Sequence, residues 1–358
     1  MISYEGKNRE TVNYLKAIYF DDPEWTPYSV SIMPSTWIKY REALEDIVLA
    51  HPRSFPHYEK GSRDFDQIDD PFYELGEKTD CWGTVWNNEE RGLDSYPVTY
   101  PLENWEDFEN YTPPDPLQDD ILGPRDWHKI RQQIEDAKKR GEIGGCGPLP
   151  HGFMYMRLYY LRGFENLMMD MATGEPRLWD LIEMVESYNR AVVEKCLEFE
   201  PEMVYFGDDL GLQNALPISP EMWRKYLKPS FDRIYAPIRE KNIPIYMHTD
   251  GHILEIIPDL IDVGVTVLNP QFRANGLEGL KETAVGKVAL NQDLDRQLFP
   301  FASRAQIEEH IYTAHEALRL PNGGLSFYVE IEPDVPLKTV DTILTTLEAV
   351  CHPPEPQK

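Results

Sequence analysis

Polar residues that follow three apolar segments are the part of this sequence best suited to chemistry. The segment MVYFG is followed by Asp208 and Asp209, and the segment IPIYM is followed by His248 and Asp250. The third segment, VTVL, is followed by two amide side chains. Imidazole and carboxylate groups bind divalent metals and transfer protons, so the pattern predicts a metal site or an acid–base site.

Each of these residues also has a purely structural interpretation. A histidine at a strand end faces a cavity or bonds a neighbouring loop. Asp250 shares a side of the strand with His248, or it caps a turn at Gly251, since Asp-Gly is common in turns. Neighbours in a strand point to opposite faces, so one of Asp208 and Asp209 faces the pocket and the other caps the loop. The candidate catalytic residues are His248, Asp209 and Asp250.

Further carboxylates end the last two apolar segments, at Asp293, Asp295, Glu330 and Glu332. Carboxylates around a histidine favour a divalent metal, zinc above all. Without a cation they would repel one another and raise one another's pKa values. In the alternative interpretation several are exposed to water or pair with arginines, namely Arg157, Arg162, Arg273 and Arg296. The predicted metal ligands are His248, Glu330 and Asp209.

The segment FMYMRLYYLRG, residues 153–163, offers aromatic surface for a substrate. It is short and almost uninterrupted, as is typical of a strand buried on both faces. Its rings line a flat apolar pocket in one interpretation and belong to the hydrophobic core in the other. The predicted substrate-binding residues are Tyr155, Arg157, Tyr159, Asn269 and Gln271.

Parallel βα units are the elements that would position these side chains. From about residue 140 to 350, β-branched apolar segments alternate with helix-patterned segments. In such folds catalytic groups gather at the carboxyl ends of the strands. We count seven or eight strands, among them 25–33, 286–293 and 324–332. Helices are predicted at 8–18, 126–140, 178–199, 252–263 (divided at Pro258) and 336–350, and Ser219 is a predicted N-cap.

The region 55–125 is irregular and rich in acidic, aromatic and proline residues. We predict that it contains a β-hairpin and lies over one end of the fold, as a functional lid or as a solvated elaboration. No second core pattern follows it, so a single domain is predicted over residues 1–352. The tail 353–358 is predicted to be disordered.

Composition restricts the partners of this 358-residue chain. With 35 basic and 62 acidic residues, the formal net charge of −27 argues against nucleic acid and anionic membranes, because phosphates would be repelled. No segment is typical of a signal peptide or reaches the roughly 18 apolar residues of a membrane span, so a cytoplasmic protein is expected. The cysteines are expected to be reduced thiols, since none of them lies in a CxxC pair: Cys81, Cys146, Cys196 and Cys351.

Several motifs together resemble one superfamily. These motifs are GDDLGLQ, SPEMWRKYLKP, IYMHTDGHILEIIPDLIDVGVTVLNPQ, NRETVNYLKAI, DCWGTVW, LRGFENLMMDM and LNQDLDRQLFPF. They resemble the uroporphyrinogen decarboxylase superfamily, and more closely its branch of cobalamin-dependent methyltransferases, which act with a separate corrinoid protein. The resemblance covers nearly the whole chain. It implies a TIM-type (β/α)₈ barrel with an N-terminal extension, long inserted loops and a site at the C-terminal mouth.

This sequence differs from the superfamily at two motifs, and both differences restrict the type of reaction that is expected. The segment MPSTWIKYREAL at 33–44 stands where uroporphyrinogen decarboxylases carry an arginine-rich motif that grips a porphyrinogen. Thiol-directed methyltransferases bind zinc through His-x-Cys and a further Cys, whereas this chain has His248-Thr249-Asp250 and Glu330. The resemblance therefore implies zinc-assisted transfer of a methyl group to Co(I) of a corrinoid protein. The expected donor is a small methylated compound, above all a methoxylated aromatic (O-demethylation).

Two other functions stay open at this point. A decarboxylase or lyase would use aspartate and histidine as acid and base without a metal. A non-catalytic barrel would only bind a small molecule. Metal content separates the first alternative from methyl transfer, and turnover with a reduced corrinoid protein separates enzyme from binder. A homodimer is compatible with all three functions.

Overall fold

The computed structural model describes residues 4–351. The chain divides into two compact units. Unit 1 comprises Met1–Val12, Glu77–Asn87 and Tyr96–Leu268, and unit 2 comprises Asn13–Gly76, Asn88–Ser95 and Asn269–Lys358. The predicted disordered tail lies outside the described residues. The single domain, with region 55–125 over one end, stays a prediction.

Helices and strands alternate from residue 145 onward, as predicted. The α-helices are α1 (Arg9–Ile18), α2 (Pro34–Ala50), α3 (Trp127–Lys139), α4 (Tyr155–Arg162), α5 (Phe164–Thr173), α6 (Arg177–Leu197), α7 (Pro220–Tyr226), α8 (Lys228–Glu240), α9 (Ile257–Asp262), α10 (Phe272–Asn275), α11 (Leu277–Thr283), α12 (Arg304–Leu318) and α13 (Leu337–Val350). Among residues 4–351, no helix combines the length and apolarity needed to cross a bilayer.

Within the part of the chain that the structure describes, the strands fall into a parallel set of seven and two small antiparallel groups. They are β1 (Tyr28–Ile32), β2 (Gly76–Thr79), β3 (Val85–Asn88), β4 (Tyr96–Thr99), β5 (Asp119–Asp120), β6 (Gly123–Pro124), β7 (Gly145–Cys146), β8 (Met203–Gly207), β9 (Ile245–Thr249), β10 (Val267–Pro270), β11 (Ala289–Asp293) and β12 (Leu325–Ile331). The parallel set is β1 and β7 to β12.

Unit 1 holds the strands that lead to the candidate site. β7 pairs in parallel with β8, and β8 pairs in parallel with β9. Gly207 lies opposite His248 in this register. Met203, Val204 and Phe206 of β8 are buried. The parallel register therefore places the carboxyl ends of β8 and β9 side by side.

Unit 2 holds the first and the last two parallel strands. β12 pairs in parallel with both β1 and β11. Phe327, Val329 and Ile331 of β12 are buried together with Ile343 and Leu347 of α13. The predicted strands within 25–33, 286–293 and 324–332 are thereby confirmed.

Local sequence signals set several helix ends. Ser219 accepts a hydrogen bond from Met222 N, and Pro220 lies in the first turn of α7, so the predicted N-cap is confirmed. Pro258 lies in the first turn of α9, which follows a short 3-10 helix, and this confirms the predicted division. Gly264 follows α9 with φ of +106°, a conformation that favours glycine.

The predicted strand at 153–163 is wrong, because residues Tyr155–Arg162 form helix α4. All of its residues except Tyr159 are buried, so the helix is surrounded by protein. A helix buried on all sides shows no amphipathic period, and a short apolar run then resembles a buried strand. The strand of this βα unit is instead the short β7, within a glycine-rich segment.

The irregular region contains the predicted hairpin. β3 and β4 are antiparallel, with Val85 opposite Thr99 and Asn87 opposite Tyr96. β2 is the third strand of this small sheet, and β5 and β6 form a second short antiparallel pair. Compact β-structure therefore occurs in a stretch that has no helical periodicity.

Two of the four cysteines contradict the expectation of free thiols. Cys146 in β7 and Cys196 in α6 form a disulfide, which packs against Ile134 of α3. Their separation of 50 residues gave no sign of this pairing, because the fold alone brings β7 and α6 together. Cys81 and Cys351 are free.

Candidate metal and active site

The ends of β8 and β9 supply the first residues of the site. Asp209 follows β8, and His248 lies near the end of β9. Asp250 N donates to Asp209 Oδ1 at 2.9 Å, and Leu210 N donates to Thr249 Oγ1 at 3.0 Å. Each bond joins a main-chain N–H of one loop to a side-chain oxygen of the other, and together they restrict the separation of Asp209 and His248.

Two glycines allow these loops to approach each other. A Cβ on Gly251, whose φ is +82°, would collide with the main chain of Gly211. A Cβ on Gly211 would collide with the main chain of Gly251 and His252. His252 N donates to Leu212 O at 2.7 Å across the same contact. The close approach is therefore possible only because neither position carries a side chain.

A second histidine, His151, joins the group from the loop after β7. Gly152 N donates to Gly207 O at 2.8 Å, which attaches this loop to β8. The ring of His151 lies against Gly207, where a Cβ would be 2.5 Å from Nδ1. The absence of a side chain at Gly207 thus makes room for the imidazole.

Sequence reasoning missed His151. Its signal was a histidine followed by glycine just after a short strand, in the segment GGCGPLPHG. Because the strand of this unit was predicted at 153–163, residues before 153 were not treated as a strand end. Placing the strand at Gly145–Cys146 would have made His151 comparable with His248.

The three side chains form a compact group. His151 Nε2 lies 3.1 Å from Asp209 Oδ2, and His248 Nε2 lies 3.8 Å from Asp209 Oδ1. His248 Nε2 is also 3.5 Å from Asp250 Oδ1, and the two imidazole centroids are 5.5 Å apart. One ligand atom from each of His151, Asp209 and His248 lies within 4.8 Å of the others. Two imidazoles and one carboxylate are a donor set that zinc accepts, with a further position left for water or substrate.

The ion pair between His151 and Asp209 shifts the pKa values of both groups. Desolvation lowers the pKa of His151, but its hydrogen bond to Asp209 and the nearby carboxylate charges outweigh this and raise it to about 9. Desolvation would raise the pKa of Asp209, but the hydrogen bond and charge of His151 and the charge of His248 lower it to about 2. In the metal-free protein the pair is therefore ionised at neutral pH.

Asp208 anchors helix α4 beside this group. Its buried carboxylate accepts hydrogen bonds from Tyr155 N at 2.6 Å, Met156 N at 2.9 Å and Met154 N at 3.3 Å. Burial raises the pKa of Asp208 to about 7, although the bonds from Met156 N and Tyr155 N oppose the shift. The side chains of Asp208 and Asp209 therefore point in different directions, as expected for neighbours at a strand end. Asp209 belongs to the group with the histidines, and Asp208 binds the first turn of a helix.

The predicted substrate-binding residues of α4 have distinct surroundings. Tyr155 is buried and Tyr159 is partly exposed, and their rings meet edge to face at 6.0 Å between centroids. Burial raises the pKa of Tyr155 above its ordinary value and that of Tyr159 to about 12, so both phenols are protonated at neutral pH. Arg157 Nη1 donates to the buried Asp80 Oδ2 at 2.8 Å.

The remaining predicted residues lie in unit 2. Glu330 accepts hydrogen bonds from Arg296 Nη1 at 2.6 Å and from the hydroxyl of Tyr328 at 2.9 Å. The side-chain amide of Asn269 donates from Nδ2 to Asn291 O, and the main-chain oxygen of Gln271 accepts from Asn275 Nδ2. The His/Asp group found among residues 4–351 contains His248 and Asp209 from the predicted ligands, with His151 as its third member.

The comparisons agree with this arrangement of strands. Parallel βα units with polar groups at their carboxyl ends define an α/β protein of the TIM-barrel type. A methyltransferase from Methanosarcina mazei shares this fold, with a TM-score of 0.64 over 95% of this chain and 98% of that chain at 15% identity. A Xanthomonas albilineans dihydropteroate synthase with 4-aminobenzoic acid reaches a TM-score of only 0.30, over 46% of this chain and 61% of that chain at 15% identity.

The family follows from the sequence itself. The model of the uroporphyrinogen decarboxylase (URO-D) family matches residues 92–350. The chain therefore belongs to the uroporphyrinogen decarboxylase family. No curated protein sequence matches it significantly.

Proposed function

We propose that this protein is a zinc-assisted methyltransferase that passes a methyl group from a small donor to Co(I) of a separate corrinoid protein. The observation that carries the proposal is the group of His151, Asp209 and His248 at the carboxyl ends of parallel strands. The fold shared with a methyltransferase supports the reaction type.

The proposed donor is a methoxylated aromatic compound. The segment at 33–44 has no arginine cluster of the kind that would hold a polycarboxylate porphyrinogen, and the proposed ligands include no thiolate of the kind expected for thiol methylation. Tyr159, whose ring is partly exposed beside the buried Tyr155, supports an aromatic substrate, because a ring contact contributes about 0.5–1.5 kcal/mol beyond burial.

The proposed residues fit zinc in both type and spacing. His151, Asp209 and His248 would hold the ion, while Asp250 stays hydrogen-bonded through its N–H to Asp209. A bound zinc ion would supply a Lewis acid for the ether oxygen, which makes phenolate a better leaving group.

The chain's own residues would orient the donor. The rings on α4 would position the aromatic group, and the bonds from α4 to the buried Asp208 would hold that helix in place. The nucleophile comes from the corrinoid partner, so no protein nucleophile is required.

Metal analysis tests the site. We expect wild type to contain zinc, and we expect His151→Ala and His248→Ala to lose most of it, because each removes one ligand. His128→Ala is the matched control, since His128 is exposed on α3 and lies outside the group. Equal metal content in all four proteins, or none in wild type after reconstitution with zinc, would refute the metal site.

Turnover tests the reaction. Wild type would be mixed with a reduced corrinoid protein and with methoxyarenes, methylamines or methanol, and corrinoid methylation would be followed by absorbance. We expect methylation from methoxyarenes alone. Methylation from amines alone would refute the proposed donor, and no methylation from any donor would refute the reaction.

Decarboxylation without metal is the second candidate. It is favoured by the ionised His151–Asp209 pair, which offers an acid beside a carboxylate, and by the family to which the chain belongs. Carbon dioxide release from a carboxylic acid substrate by chelator-treated protein would support it. Methyl transfer that is lost after chelation would exclude it as the main activity.

A further inference from the structure

We infer that Arg125 is a positioning residue that holds the loop of His151 in the geometry that metal binding requires. The inference rests on the proposed metal site. Asp209 and His248 are positioned by β8 and β9, which pair in parallel. His151 lies instead on the loop 147–152, so it depends on whatever fixes that loop.

Arg125 is buried beneath this loop although it carries a permanent charge. Only 1% of its side chain is exposed. Its Nη1 donates to Pro148 O at 2.8 Å, and its Nη2 donates to the hydroxyl oxygen of Tyr188 at 3.0 Å. Tyr188 in turn donates to Asp119 O at 3.0 Å. One guanidinium therefore connects the end of the irregular region with the loop of His151.

The charge of Arg125 is stabilised largely by these neutral oxygens. Its carboxylate partner, Asp120, lies 3.4 Å away and is 47% exposed, and a pair that exposed is screened by water. A buried guanidinium requires hydrogen bonds, and the carbonyl of Pro148 supplies one of them. Loss of this bond would leave a buried donor and a buried acceptor unsatisfied, so the loop would move to restore them.

The loop has a second attachment at its other end. Gly152 N donates to Gly207 O at 2.8 Å, and the ring of His151 rests against Gly207. Pro148 and Gly152 thus bracket His151, with Arg125 responsible for the first attachment. Without Arg125 the loop is held only by β7 before it and by Gly152 at its far end, so the imidazole is held less firmly at its distance from Asp209.

Arg125→Lys is the direct test, because lysine keeps the charge but lacks the planar fork that reaches two oxygens at once. We expect Co(II) affinity, titrated through the absorption of the bound ion, to fall by about tenfold, as for other residues that orient metal ligands. We also expect faster amide hydrogen exchange in a peptide covering 147–152. Arg162→Lys is the matched control: Arg162 is 4% exposed, and it donates to Leu102 O, Glu103 O and Asp170, none of which belongs to this loop.

A double-mutant cycle separates positioning from a general loss of stability. In a His151→Ala background, Arg125→Lys should leave the residual Co(II) affinity unchanged. The inference is overturned if Arg125→Lys weakens Co(II) binding equally in both backgrounds. It is also overturned if Arg125→Lys and Arg162→Lys have the same Co(II) affinity and the same amide exchange rate in the 147–152 peptide. If wild type binds no Co(II), the metal site is refuted, and the exchange rates still decide whether Arg125 holds the loop. Should Arg125→Lys fail to fold, Tyr188→Phe replaces it, because this change removes one bond to Arg125 and keeps its charge.

Discussion

At the scale of single residues, the site depends on one carboxylate placed between two imidazoles. Asp209 contacts His151 on one oxygen and lies near His248 with the other. Its Oδ1 also accepts a hydrogen bond from Asp250 N, so the carboxylate cannot rotate freely. Small changes in backbone or side-chain volume near these three residues should therefore alter metal binding more than stability.

Gly207→Ala tests this sensitivity. The new methyl group would lie 2.5 Å from Nδ1 of His151, so the ring must move away from Asp209. We expect metal affinity to fall by about tenfold, in the range seen when the surroundings of a ligand are altered. Zinc competition titration measures the change.

Gly147→Ala is the control for that substitution. A Cβ at Gly147 would meet only Tyr205, at 3.9 Å and beyond, which is an ordinary contact. Its metal affinity should equal that of wild type. Equal affinities for Gly207→Ala and wild type would show that His151 is not held against β8.

The His151–Asp209 pair should also make the stability of the metal-free protein depend on pH. The pKa of His151 is about 9 when folded and 6.5 ordinarily, so its contribution is fully present below pH 6.5 and is lost as the pH rises through 9. Asp209, with a folded pKa of about 2, loses its contribution only as the pH falls below 3.8 towards 2. A scan from pH 6 to 10 spans the range in which the histidine contribution is lost. Asp208, with a folded pKa of about 7, also titrates in this range, so a variant without the imidazole is needed to isolate the share of His151.

Urea denaturation in the presence of a chelator measures this effect. Across that scan, the free energy of unfolding of wild type should fall more than that of His151→Gln, which has no titrating ring. Parallel curves for the two proteins would contradict the ion pair.

At the scale of elements, helix α4 joins the site to the irregular region. Its first N–H groups bind Asp208, and its Arg157 donates to Asp80 of the DCWGTVW segment. Asp80 also accepts bonds from Trp82 N, Thr84 N and Trp86 Nε1. A single buried carboxylate thus organises this segment and attaches it to the helix beside the site.

Asp80→Asn should strongly destabilise unit 1. The side chains of Asp80 and Arg157 are 0% and 3% exposed, so the substitution leaves a buried guanidinium without its countercharge. Removing one partner of a buried ion pair costs about 3–5 kcal/mol. Urea denaturation measures the loss.

The substitution Asp136→Asn is the control, because it removes the carboxylate of an exposed ion pair. Asp136 accepts from Lys139 on the surface of α3, so its replacement should leave the unfolding midpoint unchanged. An equally small effect for Asp80→Asn would show that the DCWGTVW segment is not anchored through this carboxylate.

At the scale of the whole molecule, the net charge of −27 is the dominant feature. Like charges repel one another in the folded chain, and salt screens them over about 10 Å at 0.1 M. The thermal unfolding midpoint should therefore rise between about 10 mM and 500 mM NaCl. The rise should shrink near pH 4.7, the isoelectric point of the sequence, where the net charge is close to zero. A midpoint that falls with salt at neutral pH would show that attractive ion pairs dominate instead.

The sequence by itself determined the features that depend on neighbouring residues. Apolar segments followed by polar residues located β8 and β9 and the positions of Asp209 and His248 at their ends. Ser219 and Pro220 located the start of α7, because capping is a contact within one turn. The alternation of strands and helices indicated the parallel α/β fold class.

Only the tertiary structure decided which distant groups meet. His151 lies beside Asp209 because its loop approaches β8 and its ring packs against Gly207. Cys146 contacts Cys196 although 50 residues separate them in the sequence. Helix α4 looked like a strand because all of its residues except Tyr159 are buried, and burial is a property of the packed chain. The sequence neighbours of Glu330, a predicted metal ligand, also gave no sign that Arg296 would donate a hydrogen bond to it. Periodicity and capping act over a few residues, whereas these contacts join segments whose approach is specified by the packing of the sheet and helices.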